Sequence, residues 1–256
     1  MAYYYKHPDL ALPEDGCVIW RYMELWKFIG MLKEHSIFFS RADKQIADPL
    51  EGEYPRDMLA ELERRLGNVI PNDDGGTYTF LDWHNKKEIP SRLISCWNAY
   101  PTETQSKWTE YTANNTESVS IRSTIGRLTS CFHEKSGPVV WIGKVRYGEE
   151  ENKLPQSSFR WNVNYYLYPF FAKNEDWRRE NEIRATVNIS QEERDKLGHS
   201  PNGCYVKADL LQLIESVWTH PQSPIGFRDQ VKNELASNKF GNVEIHQSPW
   251  DSLPRE

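Results

Sequence analysis

Two segments alternate polar and apolar residues with a period of two, and that pattern restricts the chain more than any other feature. In residues 118–122, Val119 and Ile121 alternate with Ser118, Ser120 and Arg122. In residues 181–189, Ile183, Val187 and Ile189 fall on one side, Ala185 fills a small slot between them, and Glu182 and Arg184 fall on the other. A strand sends successive side chains to opposite faces, so these runs predict a sheet with one buried face. Leu25, Phe28, Ile29 and Leu32 recur at helical spacing and predict a helix lying on that sheet.

Further strands are expected over residues 17–22, 37–40, 92–97 and 138–147, near Tyr205, and over residues 243–246. Helices are expected over residues 55–66, closed by Gly67, and after a T-x-x-Q capping box at Thr102 and Gln105. Another short helix opens with the capping box of Ser190 and Glu193 and stops at Gly198; two more span residues 209–217 and 227–236. Residues 41–53 have turn chemistry at Asp48, Pro49 and Gly52 and read as a functional loop, and residues 68–90 are the loosest stretch. With no internal repeat or low-complexity linker, residues 1–256 predict one α+β domain, a mixed or antiparallel central sheet flanked by helices.

Hydrophobic residues make up only 38% of the chain while aromatics reach 13%, ten of them Trp, so large amphipathic rings must supply much of the burial. The net charge of -6 gives no global basic field for nucleic acid or anionic lipid. Lys6, Asp9, Glu14 and Asp15 interrupt the start, which does not read as a signal peptide, and the uncharged run at 161–172 is too short for a membrane span. Four cysteines without a C-x-x-C spacing fit reduced thiols, and a cytoplasmic protein is expected.

Walker, dinucleotide, zinc-protease and nucleophile-elbow motifs are absent, and seven scattered histidines with no pair at i, i+4 predict no metal. What remains is charge beside aromatics. Arg21, between Trp20 and Tyr22, could offer its planar fork to a phosphate, or form an ion pair with Asp48 or Glu51. Asp48 and Glu51 could place two carboxylates in a cleft, or simply build an Asx-Pro turn. Strand periodicity places Glu180, Glu182 and Arg184 on one face, either as an oriented acidic site or as a cross-strand ion ladder. Trp108 and Tyr111 share a helix face, as core packing or as a stacking wall for a flat ring.

Several strings in order resemble a bacterial family catalogued as domain of unknown function 2971: Ile19 to Tyr22, Phe38 to Asp43, Asp48 to Gly52, Ser95 to Trp97, Trp108 with Tyr111, Ile121 to Thr124, Gly143 to Tyr147 and Glu180 to Arg184. That resemblance spans most of the chain and implies fold extent rather than chemistry. It also implies a bacterial defence or toxin effector, with a neutralising or sensor protein as partner.

The order Arg21, Ser95, Glu182 also resembles the ADP-ribosyltransferase superfamily, with Ser40 competing for the middle role and Glu180 for the last. This second resemblance implies NAD as the nucleotide and cleavage of its nicotinamide–ribose bond. Glu182 would stabilise the oxocarbenium-like transition state, and Arg21 would hold the pyrophosphate or a ribose hydroxyl. Tyr22 or Tyr111 would stack on nicotinamide beside Trp108, and Arg184 would orient Glu182. Water as acceptor makes a glycohydrolase; a protein or nucleic acid as acceptor makes a transferase. Two alternatives stand beside it: a metal-dependent nuclease or phosphodiesterase using Asp48, Glu51, Glu180 and Glu182, and a non-catalytic recognition domain. The NAD reading requires Arg21 and Glu182 to meet around one pocket.

Overall fold

The computed structural model describes residues 2–44, 75–113, 115–134, 137–148, 167–196 and 201–249, together with 52, 54, 59, 60, 62, 64, 70 and 71. Asp48, Glu51, most of the 41–53 loop and of the 55–66 helix, and Gly198 lie outside the described residues.

In chain order the strands are β1 (Tyr3–Tyr4), β2 (Val18–Glu24), β3 (Ser36–Arg41), β4 (Ile70–Pro71), β5 (Thr77–Tyr78), β6 (Arg92–Asn98) and β7 (Ser118–Thr124). They continue as β8 (Val139–Lys144), β9 (Arg146–Tyr147), β10 (Ala172–Lys173), β11 (Glu182–Asn188), β12 (Gly203–Lys207), β13 (Ser216–Thr219) and β14 (Glu244–Gln247). One mixed sheet runs β1-β8-β11-β6-β2-β7-β13-β14, and β3 joins it by pairing with β6 on one side and β12 on the other. The pairs β1/β8 and β13/β14 are parallel and the rest of that sheet is antiparallel.

The period-two runs do what alternation demands. Val119 and Ile121 of β7 and Ile183, Ala185 and Val187 of β11 enter one hydrophobic cluster with Ile19, Met23, Leu93 and Trp97. The predicted helix, Leu25–Glu34, covers that face with Phe28, Met31 and Leu32. It ends at His35, whose φ of 45° and N–H bonds back to Met31 and Leu32 close the last turn. The helix Phe227–Ser237 adds Phe227, Val231 and Leu235 to the same cluster.

Three expectations need correction. Residues 209–217 are not one helix: Leu210–Leu213 is helical, and Ser216–Thr219 is strand β13, paired antiparallel with β7. Leu210, Leu213, Ile214 and Val217 suit a helix by local spacing, but a pairing some 95 residues away in sequence decides the matter (Val217 opposite Ile121). The helix expected from Thr102 starts instead at Gln105, with Thr104 as the capping residue and no side-chain cap bond. Glu103 is turned inward, where its carboxyl accepts the Trp108 indole N–H at 3.2 Å. Within the stretch expected to be loosest, Phe80–Trp83 is helical and continues into a π-helical turn, His84–Glu88. The box at Ser190 is present: the Ser190 N–H donates to Glu193 at 2.9 Å and the Glu193 N–H to Ser190 Oγ at 3.2 Å.

Candidate functional site

Register determines which side chains can meet. Trp20 lies opposite Asn98 across β2/β6, and Asn98 lies opposite Glu182 across β6/β11. Opposed residues of antiparallel strands project to the same face, so Trp20, Asn98 and Glu182 form one row. One residue along, Arg21, Trp97 and Ile183 form the row on the other face. The contact agrees: the Arg21 guanidinium lies 5.6 Å from the Trp97 ring centroid.

On the first face a charge cluster surrounds Glu182, which is 1% exposed. Arg184, two residues on and therefore on the same side, grips it with both arms: Nε donates to Oε1 at 2.7 Å and Nη2 to Oε2 at 3.0 Å. The third Arg184 arm donates to the Phe170 carbonyl at 2.7 Å. Lys173 Nζ lies 3.1 Å from Glu182 Oε2 and 2.5 Å from Glu180 Oε2. Burial alone would raise the Glu182 carboxyl, but Arg184 and Lys173 reverse that and hold it well below the usual carboxylate range. Glu180 goes the other way: burial raises it, the nearby Glu182 charge adds to this, and Lys173 only partly compensates.

Glu180 reaches this cluster by a different route from the one its spacing predicts. It ends the 3-10 helix Glu175–Glu180, and Asn181, at φ 41°, breaks the strand periodicity before β11 begins at Glu182. What brings Glu180 and Glu182 together is Lys173, not a shared strand.

An aromatic group flanks the carboxylates. Tyr22 stacks on Tyr111 at 6.2 Å and 14°, and meets Trp108 edge-on at 5.0 Å. Asn98 ties them to the acids, donating to the Tyr111 hydroxyl at 3.1 Å and to the Glu180 carbonyl at 3.0 Å. The Tyr111 hydroxyl is pushed well above its ordinary value by burial and then by the Glu180 and Glu182 charges. Tyr22 and Trp108 are buried and Tyr111 half-buried.

Arg21 and Ser95 lie on the other face, at a gap in the strand pairing, whereas Ser40, opposite Ile94 at the edge of that gap, projects to the Glu182 face. β3 pairs with β6 at Leu93 and Ile94, and β2 pairs with it at Asn98, so Ser95, Cys96 and Trp97 have no strand partner on that edge. Arg21 reaches across, donating to the Phe38 carbonyl at 2.8 Å. Its enclosed Nη1 and the Ser95 hydroxyl find no partner among the described residues. Burial lowers the Arg21 guanidinium to about 10. The structure therefore does not bring Arg21 and Glu182 onto one face. Cys96 links the two regions: its thiol donates to the Glu182 carboxylate and lies within electrostatic reach of Arg21.

Cys96, Asn98, Tyr147 and Lys173 are the site neighbours that residue patterns did not single out. The alternation of β6 places Cys96 and Asn98 beside Glu182 once the register is known; Tyr147 and Lys173 have no comparable signal. Among the described residues no group of three or more His, Cys, Asp or Glu could hold a metal ion. No helix of the described residues is long and apolar enough to cross a membrane.

No protein-family model matches the chain, and no curated protein matches it in sequence. Among solved structures it is similar to Thermus sp. 2.9 DarT in complex with NAD+, at 12% identity and a TM-score of 0.40, over 95% of this chain and 100% of that one. It is similar also to Thermus sp. 2.9 DarT in complex with ADP-ribosylated ssDNA, at 12% identity and a TM-score of 0.39, over 96% and 100% of the two chains. At that level of likeness no residue role is carried across.

Proposed function

We propose that this chain binds NAD at the gap between β2 and β3 and cleaves its nicotinamide–ribose bond, with Glu182 as the carboxylate that meets the ribose. One observation carries the reading. Glu180 and Glu182 share the Lys173 ammonium, and Arg184 in addition grips both oxygens of Glu182, so the two carboxyls stand in unequal fields. Such an inequality is how a pair of acids takes separate roles in glycosidic chemistry, one staying anionic while the other holds a proton nearer neutrality.

The step breaks the C–N bond, its electron pair leaves with nicotinamide, and a nucleophile takes the ribosyl carbon. Positive character develops on the sugar as the bond lengthens, and a fixed carboxylate stabilises it more than it stabilises the ground state. Glu182 is fixed already, so Arg184 and Lys173 make its reorganisation cost small. With water as nucleophile the products are ADP-ribose, nicotinamide and a proton. A protein or nucleic-acid hydroxyl or ring nitrogen as nucleophile makes the reaction an ADP-ribosyl transfer.

A ligand that touches both faces would have to pass beside β6 where neither β2 nor β3 pairs with it. A pyrophosphate beside Arg21 and Ser95 would satisfy the buried Nη1 and hydroxyl that lack partners among the described residues. Ser40, half-buried on β3, borders the same gap. The ribose would approach Glu182 from the side of Cys96 and Tyr111, which are half-buried. Tyr22, Tyr111 and Trp108 supply a flat apolar flank for nicotinamide.

The test is incubation with NAD, alone and with protein or nucleic-acid acceptors, followed by detection of free nicotinamide. The wild type should release it and Glu182→Gln should not. Absence of release by the wild type under every condition would remove the reading.

A further inference from the structure

β9 and β10 form a two-residue parallel ladder in which Lys173 lies opposite Tyr147. Both side chains of that rung end on Glu182. The Tyr147 hydroxyl accepts the Glu182 backbone N–H at 2.9 Å. Lys173 reaches the Glu182 carboxylate at 3.1 Å and the Glu180 carboxylate at 2.5 Å. The lysine side chain is 9% exposed, and its ammonium lies 5.3 Å from the Trp177 ring centroid. An ammonium removed from water in this way depends on its carboxylates for compensation, and the carboxylates depend on it.

The two acids are not equivalent towards it. Arg184 already occupies both oxygens of Glu182, whereas the side-chain contact shown for Glu180 is Lys173. Lys173 is thus an ammonium that both acids contact, and its charge offsets their direct repulsion. Tyr147 meanwhile anchors the first residue of β11, from which Glu182 projects.

We infer that the Tyr147–Lys173 rung is a positioning device for Glu182, in which Lys173 sets how the Glu180 and Glu182 pair shares its protons and Tyr147 fixes where the strand begins. Its catalytic meaning rests on the reading of Glu182 given above; its electrostatic content does not. Lys173 is a positioning residue here, since it acts through the two acids.

The experiment follows the side-chain carboxyl shifts of 13C-labelled glutamate against pH in the wild type, Lys173→Met and Lys173→Arg, alongside the pH profile of nicotinamide release. Loss of an opposite charge at this range moves a carboxyl by about one to three units, so the Glu180 midpoint should climb by that amount in Lys173→Met. Lys173→Arg should restore it, and the acid limb of the release profile should move with it. An unchanged Glu180 midpoint in Lys173→Met overturns the inference. If that variant does not fold, the wild type still decides: the Lys173 15Nζ shift should inflect at the Glu180 midpoint, and a flat 15Nζ titration overturns the inference. Should the wild type release no nicotinamide, the reading of the reaction fails while the carboxyl titrations continue to test the rung.

Discussion

Arg21 and Glu182 are separated by a single strand, β6, and project from opposite faces of the sheet. Two strand spacings of about 4.8 Å separate their strands, the β6/β11 ladder is unbroken, and the gap beside Ser95, Cys96 and Trp97 lies on the other edge of β6. A ligand that engages both must thread that gap. The arrangement gives each residue a separable role and hence separate predictions.

Arg21→Lys keeps a positive charge but loses the fork that reaches the Phe38 carbonyl while leaving Nη1 for a ligand. The fold should survive with a loss of about 1 kcal/mol, the usual scale for one hydrogen bond. NAD binding should weaken at least about tenfold, the factor matching 1.4 kcal/mol. Urea denaturation and calorimetric titration separate the two effects.

Glu182→Gln preserves shape and removes the anion that Arg184 and Lys173 share. Breaking one side of a buried ion cluster costs about 3 kcal/mol or more, which urea denaturation at neutral pH should detect. The pH dependence has a definite sign. A carboxyl depressed in the folded state contributes stability above its unfolded value and loses it as pH falls through the folded one. Wild-type stability should therefore fall on acidification, and that part of the fall should be absent in Glu182→Gln.

Glu103 makes the opposite prediction. It is 3% exposed, its carboxyl accepts the Trp108 indole N–H, and burial raises it to about 7. The folded state holds this proton more tightly than the unfolded chain, so stability present below the ordinary carboxylate range is lost as pH rises towards 7. The loss amounts to about 3 kcal/mol at 1.36 kcal/mol per unit. Glu103→Gln should flatten it, giving a variant more stable than the wild type at pH 8 by thermal or urea denaturation.

Trp108 links Glu103 to the aromatic flank, being edge-on to Tyr22 and to His220 at 5.0 and 5.2 Å. Trp108→Ala should cost about 3–5 kcal/mol through the cavity it leaves. Trp108→Phe should retain most of the stability yet free Glu103 from its indole donor, raising the Glu103 midpoint further in a carboxyl titration.

The sheet was legible in the sequence wherever burial on one face imposed alternation, as at Ile183, Ala185 and Val187 or at Val119 and Ile121. The helix Leu25–Glu34 was legible for the same reason at a period of 3.6. Strand β13 was not, because Val217 obeys helical spacing locally and only its pairing with Ile121 makes it strand. Glu182 and Arg184 were legible as one face; Glu180 was placed there by a periodicity that Asn181 interrupts. Lys173 and Tyr147 carried no pattern, since a two-residue ladder has none, and the opposite facing of Arg21 depends on a register that sequence alone does not specify.

The most direct measurement titrates NAD into protein carrying 13C-labelled glutamate side chains while free nicotinamide is quantified in the same sample. The account predicts saturable shifts at the Glu180 and Glu182 carboxyls and nicotinamide production that tracks their occupancy. Carboxyl resonances that stay fixed up to millimolar NAD, with no nicotinamide formed, would contradict it.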